Sequence, residues 1–525
     1  MIRVHLSAGF VLLVLLVCAA VANLPDTINA PAVSIPTDTV PAEPAGQLQT
    51  DAAPVEPVPS DPVPVDAEQV DTVPADPEPV STEPISPKYR FPNVHLDVSE
   101  ELLNAALGSN TRTCGPFSEC IRGSRYRGTS TRDAQFSIQT LPAEDSVALN
   151  LAWDATVNSK SHTTQRRTTV SSVGTTYIKA SKNATFEDDG WHVQPTQATA
   201  KSSSRITGIS SNRILGRRIA ESRARSAASQ QSGAVNYSVA RLAERRTRSE
   251  FDNQTDEMLA SWEQDLDSNF REPLTERGQL TQLVSKRSTD DRVELAFLQA
   301  QDDELGAVTE LSTPLQQQAC DLFLSLHQSA INNFTDGMCA GRLFREDEVA
   351  DLLEERLGWK LAGLEPDDLS KVWSIDFAEE KPLRFKFHNG IAKVTLETRG
   401  FTVGDQQIPG ARLQVAYELS TVSGELLGKR QGRIEITPLS AEKDDEKVGV
   451  RFQVFRSMLR RRFERVFPEE FVLEEFPTPA SWPTHAALHF ATASAEDEWL
   501  QLACDLPGKE ATHTAGLVAK NSVTE

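Results

Sequence analysis

His485 and His489 stand four residues apart, a spacing at which two helical histidines can share a metal ion. The residues around them read as loop or strand, where that spacing separates side chains by about 13 Å, so the two are read as unrelated. Gly424-Glu425-Leu426-Leu427-Gly428-Lys429-Arg430 approaches a phosphate-binding loop. It is one residue short between its glycines, and Arg430 stands where a magnesium-holding hydroxyl is needed. The chain has no Gly-x-Ser-x-Gly elbow and no His-Glu-x-x-His. Carboxylates are abundant, but spacing singles out no glycosidase-like pair among them. The expectation is a noncatalytic protein with no cofactor and no metal site.

Charge and thiols supply the other candidates. Lys201 to Ser249 contains eleven Lys or Arg and two acids, Glu221 and Glu244. Arg217, Arg218, Arg245 and Arg246 fall there on predicted helix. Arg460, Arg461 and Arg462 fall on a second helix whose apolar side is Phe455, Leu459 and Phe463. Basic helices of this kind can lie on anionic membrane or lipopolysaccharide surfaces, and they can equally be solvated faces. Nucleic acid is a poor partner, because no aromatic residues interleave the basic ones. Cys114 and Cys120 flank Gly115-Pro116, read as a short loop that would let them join in an oxidising compartment. Cys320 and Cys339 form a second candidate pair, and Cys504 is left over. No Cys-x-x-Cys occurs.

The N-terminal region bears on that compartment. Arg3, an apolar or small run from Ala8 to Ala22, and the ending Ala20-Val21-Ala22 have the form of a cleavable signal peptide over residues 1–22. Lipidation at Cys18 is the alternative. Residues 23–87 carry twelve Asp or Glu, no Lys or Arg, and fifteen of the thirty prolines. So little apolar surface cannot offset the entropy of ordering, and this composition predicts an extended, disordered acidic spacer. The net charge is −22, and no later run is long and apolar enough for a membrane helix.

Strand periodicity begins near Lys88. Val94, Leu96 and Val98 alternate, and Ser99 then caps a short helix with Glu100 and Glu101 in its first turn. Val147, Leu149, Leu151, Trp153 and Val157 share one face of a long strand. Residues 163–185 and 191–206 read as more polar strands. Residues 212–270 read as helix, broken near Ser232-Gly233. Asn389-Gly390 between apolar-periodic runs predicts a tight hairpin. Val450, Phe452 and Val454 read as a strand, and Ala487–Ala493 with Trp499–Leu506 as a final hairpin. Asp321 to Leu326 repeats the pattern of Asn93 to Val98, and Ile331-Asn332 repeats Leu103-Asn104, at a fixed offset of 228 residues. Such an offset predicts a duplicated unit.

The run Leu96 to Asn104, with its echo at Leu324 to Asn332, resembles the first strand and helix of bacterial tubular lipid-binding (TULIP-like) domains. The chain also resembles large secreted bacterial proteins with a low-complexity N-terminal spacer. The resemblance implies a curved sheet wrapped on a long helix around an apolar groove for lipid. The expected fold class is α+β: two related domains of long curved antiparallel strands packed on long helices. Their expected spans are 88–285 and 286–507, followed by a disordered tail at 508–525. The expected role is an exported envelope protein binding lipid or another apolar component. A structural or interaction module, and then an envelope hydrolase, are the rivals.

Overall fold

The computed structural model describes residues 91–165, 167–212, 216–266, 281–301, 304–311, 320–345, 373–404, 406–439, 450–476 and 487–508. The expected leader, the spacer, an amphipathic helix that the sequence predicts from Glu346 to Leu357, His485 and all but the first residue of the tail lie outside them.

The first half runs β1 (Val94–Ser99), α1 (Glu100–Leu107), β2 (Ser109–Ile121), β3 (Ser124–Leu141), β4 (Val147–Gln165), β5 (Thr168–Glu187), β6 (Gly190–Val193) and β7 (Gln197–Ser211). It continues with α2 (Arg217–Leu266), β8 (Thr281–Ser288) and β9 (Arg292–Gln299). The second half opens with β10 (Leu322–His327), α3 (Gln328–Cys339), β11 (Leu343–Arg345), β12 (Trp373–Phe377), β13 (Leu383–His388), β14 (Ile391–Val403), β15 (Gln406–Pro409) and β16 (Ala411–Val422). It closes with β17 (Glu425–Arg430), β18 (Glu435–Pro438), α4 (Val450–Val466), β19 (Glu470–Leu473), β20 (His489–Glu496) and β21 (Trp499–Asp505). The fold is therefore mostly β rather than the α+β mixture expected, with 21 strands and four helices among the described residues.

Every pairing between these strands is antiparallel. β2-β3-β4-β5-β6 form one sheet, with β7 also on β5. β11-β12-β14-β16-β17-β19 form another, with β13 and β15 on β14 and β18 on β16. The third sheet has the order β20-β21-β10-β1-β9-β8 and takes strands from both halves. The halves are thus joined by a shared sheet, and the boundary expected at 285/286 falls inside β8.

Within this shared sheet the two similar runs pair with each other, and their surroundings are alike. β1 pairs with β10 so that Leu96 faces Leu324, its own equivalent in the repeat. The flanking hairpins match as well. β8 carries a bulge between Leu283 and Ser285, and β20 carries one between Phe490 and Thr492, at corresponding positions. Ser99 caps α1 by accepting from the Leu102 amide, and His327, at the equivalent position, caps α3 by accepting from Ser329. The Asn93 side-chain oxygen accepts from the Gln299 amide at 2.8 Å, and Asp321 accepts likewise from Leu506 at 2.8 Å. Most telling, Asn104 brackets Ile138 by accepting from its N–H (2.9 Å) and donating to its C=O (2.6 Å). Asn332 does the same to Phe385, at 2.6 and 3.1 Å.

Other local expectations divide. Asn389 and Gly390 both have positive φ (53° and 75°) between β13 and β14, as a tight primed turn requires. The final hairpin is β20–β21. The helix expected to break at Gly233 instead runs unbroken as α2 for 50 residues, about 75 Å. Gly233 costs such a helix only about 1 kcal/mol, which cooperative flanks absorb. Val450, Phe452 and Val454 open α4 rather than forming a strand.

The polar face of the shared sheet holds two histidines that pack on Trp499, buried His327 at 5.1 Å and half-buried His95 at 5.5 Å between ring centres. His327 Nδ1 accepts from the Ser329 amide at 3.2 Å, and its Nε2 lies 3.3 Å from Glu498 Oε2. A neutral ring protonated at Nε2 satisfies both contacts. Burial holds the His327 pKa below its ordinary value, although Glu498 pulls it upward. Burial likewise lowers that of His95, against the raising effects of the Pro92 carbonyl and Glu310. The unfolded chain therefore binds more protons than the folded one below about pH 6.5, and stability falls as pH drops through that value. The melting temperature is expected to decline between about pH 7.5 and 5.5 by calorimetry. His327→Asn keeps a capping oxygen without a titrating ring and is expected to flatten part of that decline. A pH-independent melting temperature in the parent would contradict this account.

Candidate functional site

Along β3, β4, β5 and β7, alternate residues point toward α2, and this inner face changes character along its length. Near the shared sheet it is apolar: Ile138, Leu149, Leu151, Trp153, Ala180 and Ala184 are buried there with Phe251 and Leu259 of α2. Beyond Val157 the same face becomes Ser130, Ser159, Ser161, Ser172, Gly174 and Ser202, most of them half-buried. These small groups bond to each other. Ser161 Oγ and Ser172 Oγ are 2.9 Å apart, Thr176 donates to Ser202 at 3.0 Å, and Ser159 donates to the Gly174 carbonyl at 3.3 Å.

α2 is held unequally over the two zones. Its C-terminal half is fixed by Lys182, whose side chain is 3% exposed. The Lys182 ammonium lies 2.6 Å from Asp256, 3.0 Å from Asp252 and 3.1 Å from Thr255 Oγ1. Asp252 also accepts from the Thr196 amide (3.1 Å) and hydroxyl (2.6 Å). Burial pushes the Asp252 carboxyl upward, but the bonds from Thr196 and Lys182 outweigh it and hold the group below the usual range. Nearby, burial raises Glu250 above its ordinary value against the charges of Arg132 and Arg246, and the Arg132 guanidinium lies 5.8 Å from the centre of the Trp153 ring. Arg246 reaches across to Glu119 of β2, so α2 touches the far edge of the sheet. The half-buried residues of the N-terminal half are mostly small, Ala220, Ala224, Ala228 and Ser232, with Val235 and Val239 beside them. Side-chain bonds tie this half to the sheet at Ser204 Oγ, 2.6 Å from Asn236, and at Glu221, which accepts from the Ser211 backbone.

Among the described residues the second half shows no comparable zone. Tyr417, Phe385, Phe387, Phe401 and Phe471 are fully buried, and Leu459, Phe463 and Phe467 fill the space beside them.

The basic residues expected at an anionic surface are split. Arg217 pairs with Glu221 at 2.9 Å and Arg246 with Glu119, while Arg218 and Arg245 are exposed on α2. On α4 only Arg461 of its triplet is exposed. Arg460 is half-buried, and Arg462 lies 5.8 Å from the Trp373 ring centre, its pKa lowered by burial and by Arg465. The expected cysteine bridges are not formed. Cys114 and Cys120 lie on the one continuous strand β2, paired opposite Thr131 and Arg125. Six residues of strand separate them by about 20 Å, beyond the reach of a disulfide. Cys320 is buried, Cys339 is half-buried at the end of α3, and these two and Cys504 are free thiols as well. Burial raises the Cys320 thiol and pushes that of Cys339 up to about 12, so neither is a ready nucleophile.

Gly424 (φ +86°) sits in the β16–β17 turn, and the residues after it form β17 rather than the helix a phosphate loop needs. The expectation of no metal site meets one exposed group of suitable type, Glu187, Asp189 and His192. His192 Nε2 is 2.7 Å from Asp189, a bond that raises the histidine pKa and lowers that of the carboxyl. Among the described residues no helix is long and apolar enough to cross a membrane.

No family model matches the sequence, and neither does any curated protein sequence. Among solved structures, a lipopolysaccharide binding protein aligns with 79% of this chain and 98% of its own, at 11% identity and a TM-score of 0.31. P47 from Clostridium botulinum A2 aligns with 79% of this chain and 97% of its own, at 8% identity and a TM-score of 0.24. At these TM-scores neither likeness bears on what this chain binds.

Proposed function

We propose that this is a noncatalytic exported protein that holds a lipid or another apolar envelope component between α2 and the inner face of the first-half sheet. One observation carries the reading: the unequal attachment of α2. Its C-terminal half buries Phe251 and Leu259 and is pinned by Lys182. Its N-terminal half sets mostly alanine, serine and valine against a serine-rich stretch of sheet, an interface that buries less apolar area than the C-terminal half and is correspondingly cheaper to open. An amphiphile entering there would meet Tyr126, Val157, Val170 and Ile206 with its chain and the serine hydroxyls with its headgroup. Each methylene buried is worth about 0.8 kcal/mol, so a modest chain suffices to displace the small-residue contacts. Export itself rests on the Ala8–Ala22 run and the Ala20-Val21-Ala22 ending.

Joining the helix to the sheet tests the proposal. Ser204→Cys with Asn236→Cys, in a background of Cys114→Ser and Cys120→Ser, places a thiol pair where a side-chain bond already exists. In the oxidised form, uptake of a fluorescent phospholipid from vesicles is expected to fall at least about tenfold and to return on reduction. Equal uptake in both forms, or none by the parent, would leave the structural-module reading standing.

A further inference from the structure

The opposite face of the same sheet carries a separate feature. Across β2 to β5, outward-facing residues form a concavity of about 520 Å³, within the range of about 300–1,000 Å³ usual for small-molecule sites. Two adjacent cross-strand rows line it. Arg112 faces Asp133, Asp133 faces Thr156, and Thr156 faces Tyr177. In the next row Gln135 faces Asp154, and Asp154 faces Lys179. Tyr177 is 59% exposed in the midst of this polar surface. More than half of this aromatic side chain is open to a ligand in the free protein.

We propose that this outer face binds an oligosaccharide, with the Tyr177 ring as the platform on which a pyranose stacks. Three properties of the surface select that ligand class. A pyranose has an apolar C–H face that matches an exposed aromatic ring and hydroxyls at its rim that need both donors and acceptors. The rim here supplies both, as Arg112 and Lys179 donate and Asp133 and Asp154 accept. Lys201, opposite Tyr177 on β7, adds a third donor at the rim beside the two cation–carboxylate pairs. The existing pairs, Arg112–Asp133 at 3.3 Å and Lys179–Asp154 at 3.5 Å, are exposed on both sides. Such pairs are worth about 0–1 kcal/mol, so ligand hydroxyls can replace them at little cost. Four strands spaced about 4.8 Å apart give the row the span of a short run of sugar rings. The site lies on the face away from α2 and does not depend on the α2 proposal.

The full chain, on an array of linear β-linked hexose and hexosamine oligosaccharides, tests this. Binding is expected to a subset of those glycans. Tyr177→Ala should weaken it at least about tenfold, the loss typical of an aromatic anchor. Tyr177→Phe should retain it, because the ring carries the contact, and Asp154→Ala should give an intermediate loss. Both positions are on the surface, and unchanged melting temperatures would confirm intact folding. The disulfide-locked α2 variant should bind glycans as the parent does, so this result and the lipid result can fail separately. No retention of any glycan, or equal binding by Tyr177→Ala, would overturn the proposal.

Discussion

Lys182→Ala is expected to destabilise the protein by about 3 kcal/mol, the low end of the range for breaking a buried ion pair. The substitution removes an ammonium that is 3% exposed and leaves Asp252 and Asp256 without their shared counter-charge. The cost stays at the low end because water can still reach Asp256, 58% exposed, and to a lesser extent Asp252. Lys182→Met retains the hydrocarbon stem between Ala180 and Ala184, so the difference between the two variants separates packing from charge. Lys182→Met with Asp252→Asn removes both charges of one contact and should recover part of the loss. Denaturant midpoints give the energies, and hydrogen exchange along α2 shows where they act. The Asp252 carboxyl, held below its ordinary pKa, contributes stability that is present above about pH 4 and lost as pH falls through its folded value. In Lys182→Met that acid-side loss should shrink. A stability change below about 1 kcal/mol in Lys182→Ala would show that Thr196 and the apolar contacts fix α2 without the lysine.

Asn104→Ala and Asn332→Ala are each expected to cost about 2–4 kcal/mol. Each removes the two bonds of the bracket, worth about 1 kcal/mol apiece, and strands the N–H and C=O of a buried strand residue; Asn104→Ala also loses the bond to the Glu100 carbonyl. Those residues are Ile138 and Phe385, at 0% and 1% exposure. Aspartate at either position keeps the acceptor but loses the donor and places a charge against a carbonyl, so it should be no better than alanine. The two asparagines serve different sheets, and the double variant should show additive losses. If Asn332→Ala cost less than about 0.5 kcal/mol while Asn104→Ala cost the full amount, the second copy would be a sequence relic rather than a working bracket.

These asparagines were legible in the sequence because each closes a similar short run, strand, cap and helix, in which neighbours along the chain set the geometry. The shared sheet was not legible, since β1 pairs with β9 and β10 across some two hundred residues and no local pattern encodes such partners. Gly115-Pro116 was misread as a loop because those residues usually punctuate structure. Here they lie on an edge strand, where proline's missing donor can face solvent. At Val450 to Val454 an alternation of five residues lost to the helical spacing of Phe455, Leu459 and Phe463. Lys182 did leave a signal. It stands between Ala180 and Ala184 at an inward position, so a charge in the core could be inferred, though its partners on α2 could not. Tyr177 left the complementary one, an aromatic residue in phase with the polar face.

Leu96 opposite Leu324 means that each copy of the repeated strand binds the other as one copy would bind an identical molecule about a two-fold axis. A dimer of single units would fall apart on dilution, whereas here the link between β9 and β10 keeps the partners at a fixed effective concentration. Covalent joining also frees the copies from identity. A homodimer must put every residue to the same use twice, but a fused pair needs only its contact strands to stay compatible. Here the second half has filled its interior with phenylalanine and the first has lined part of its own with serine, so the two ends of the shared sheet carry different interiors.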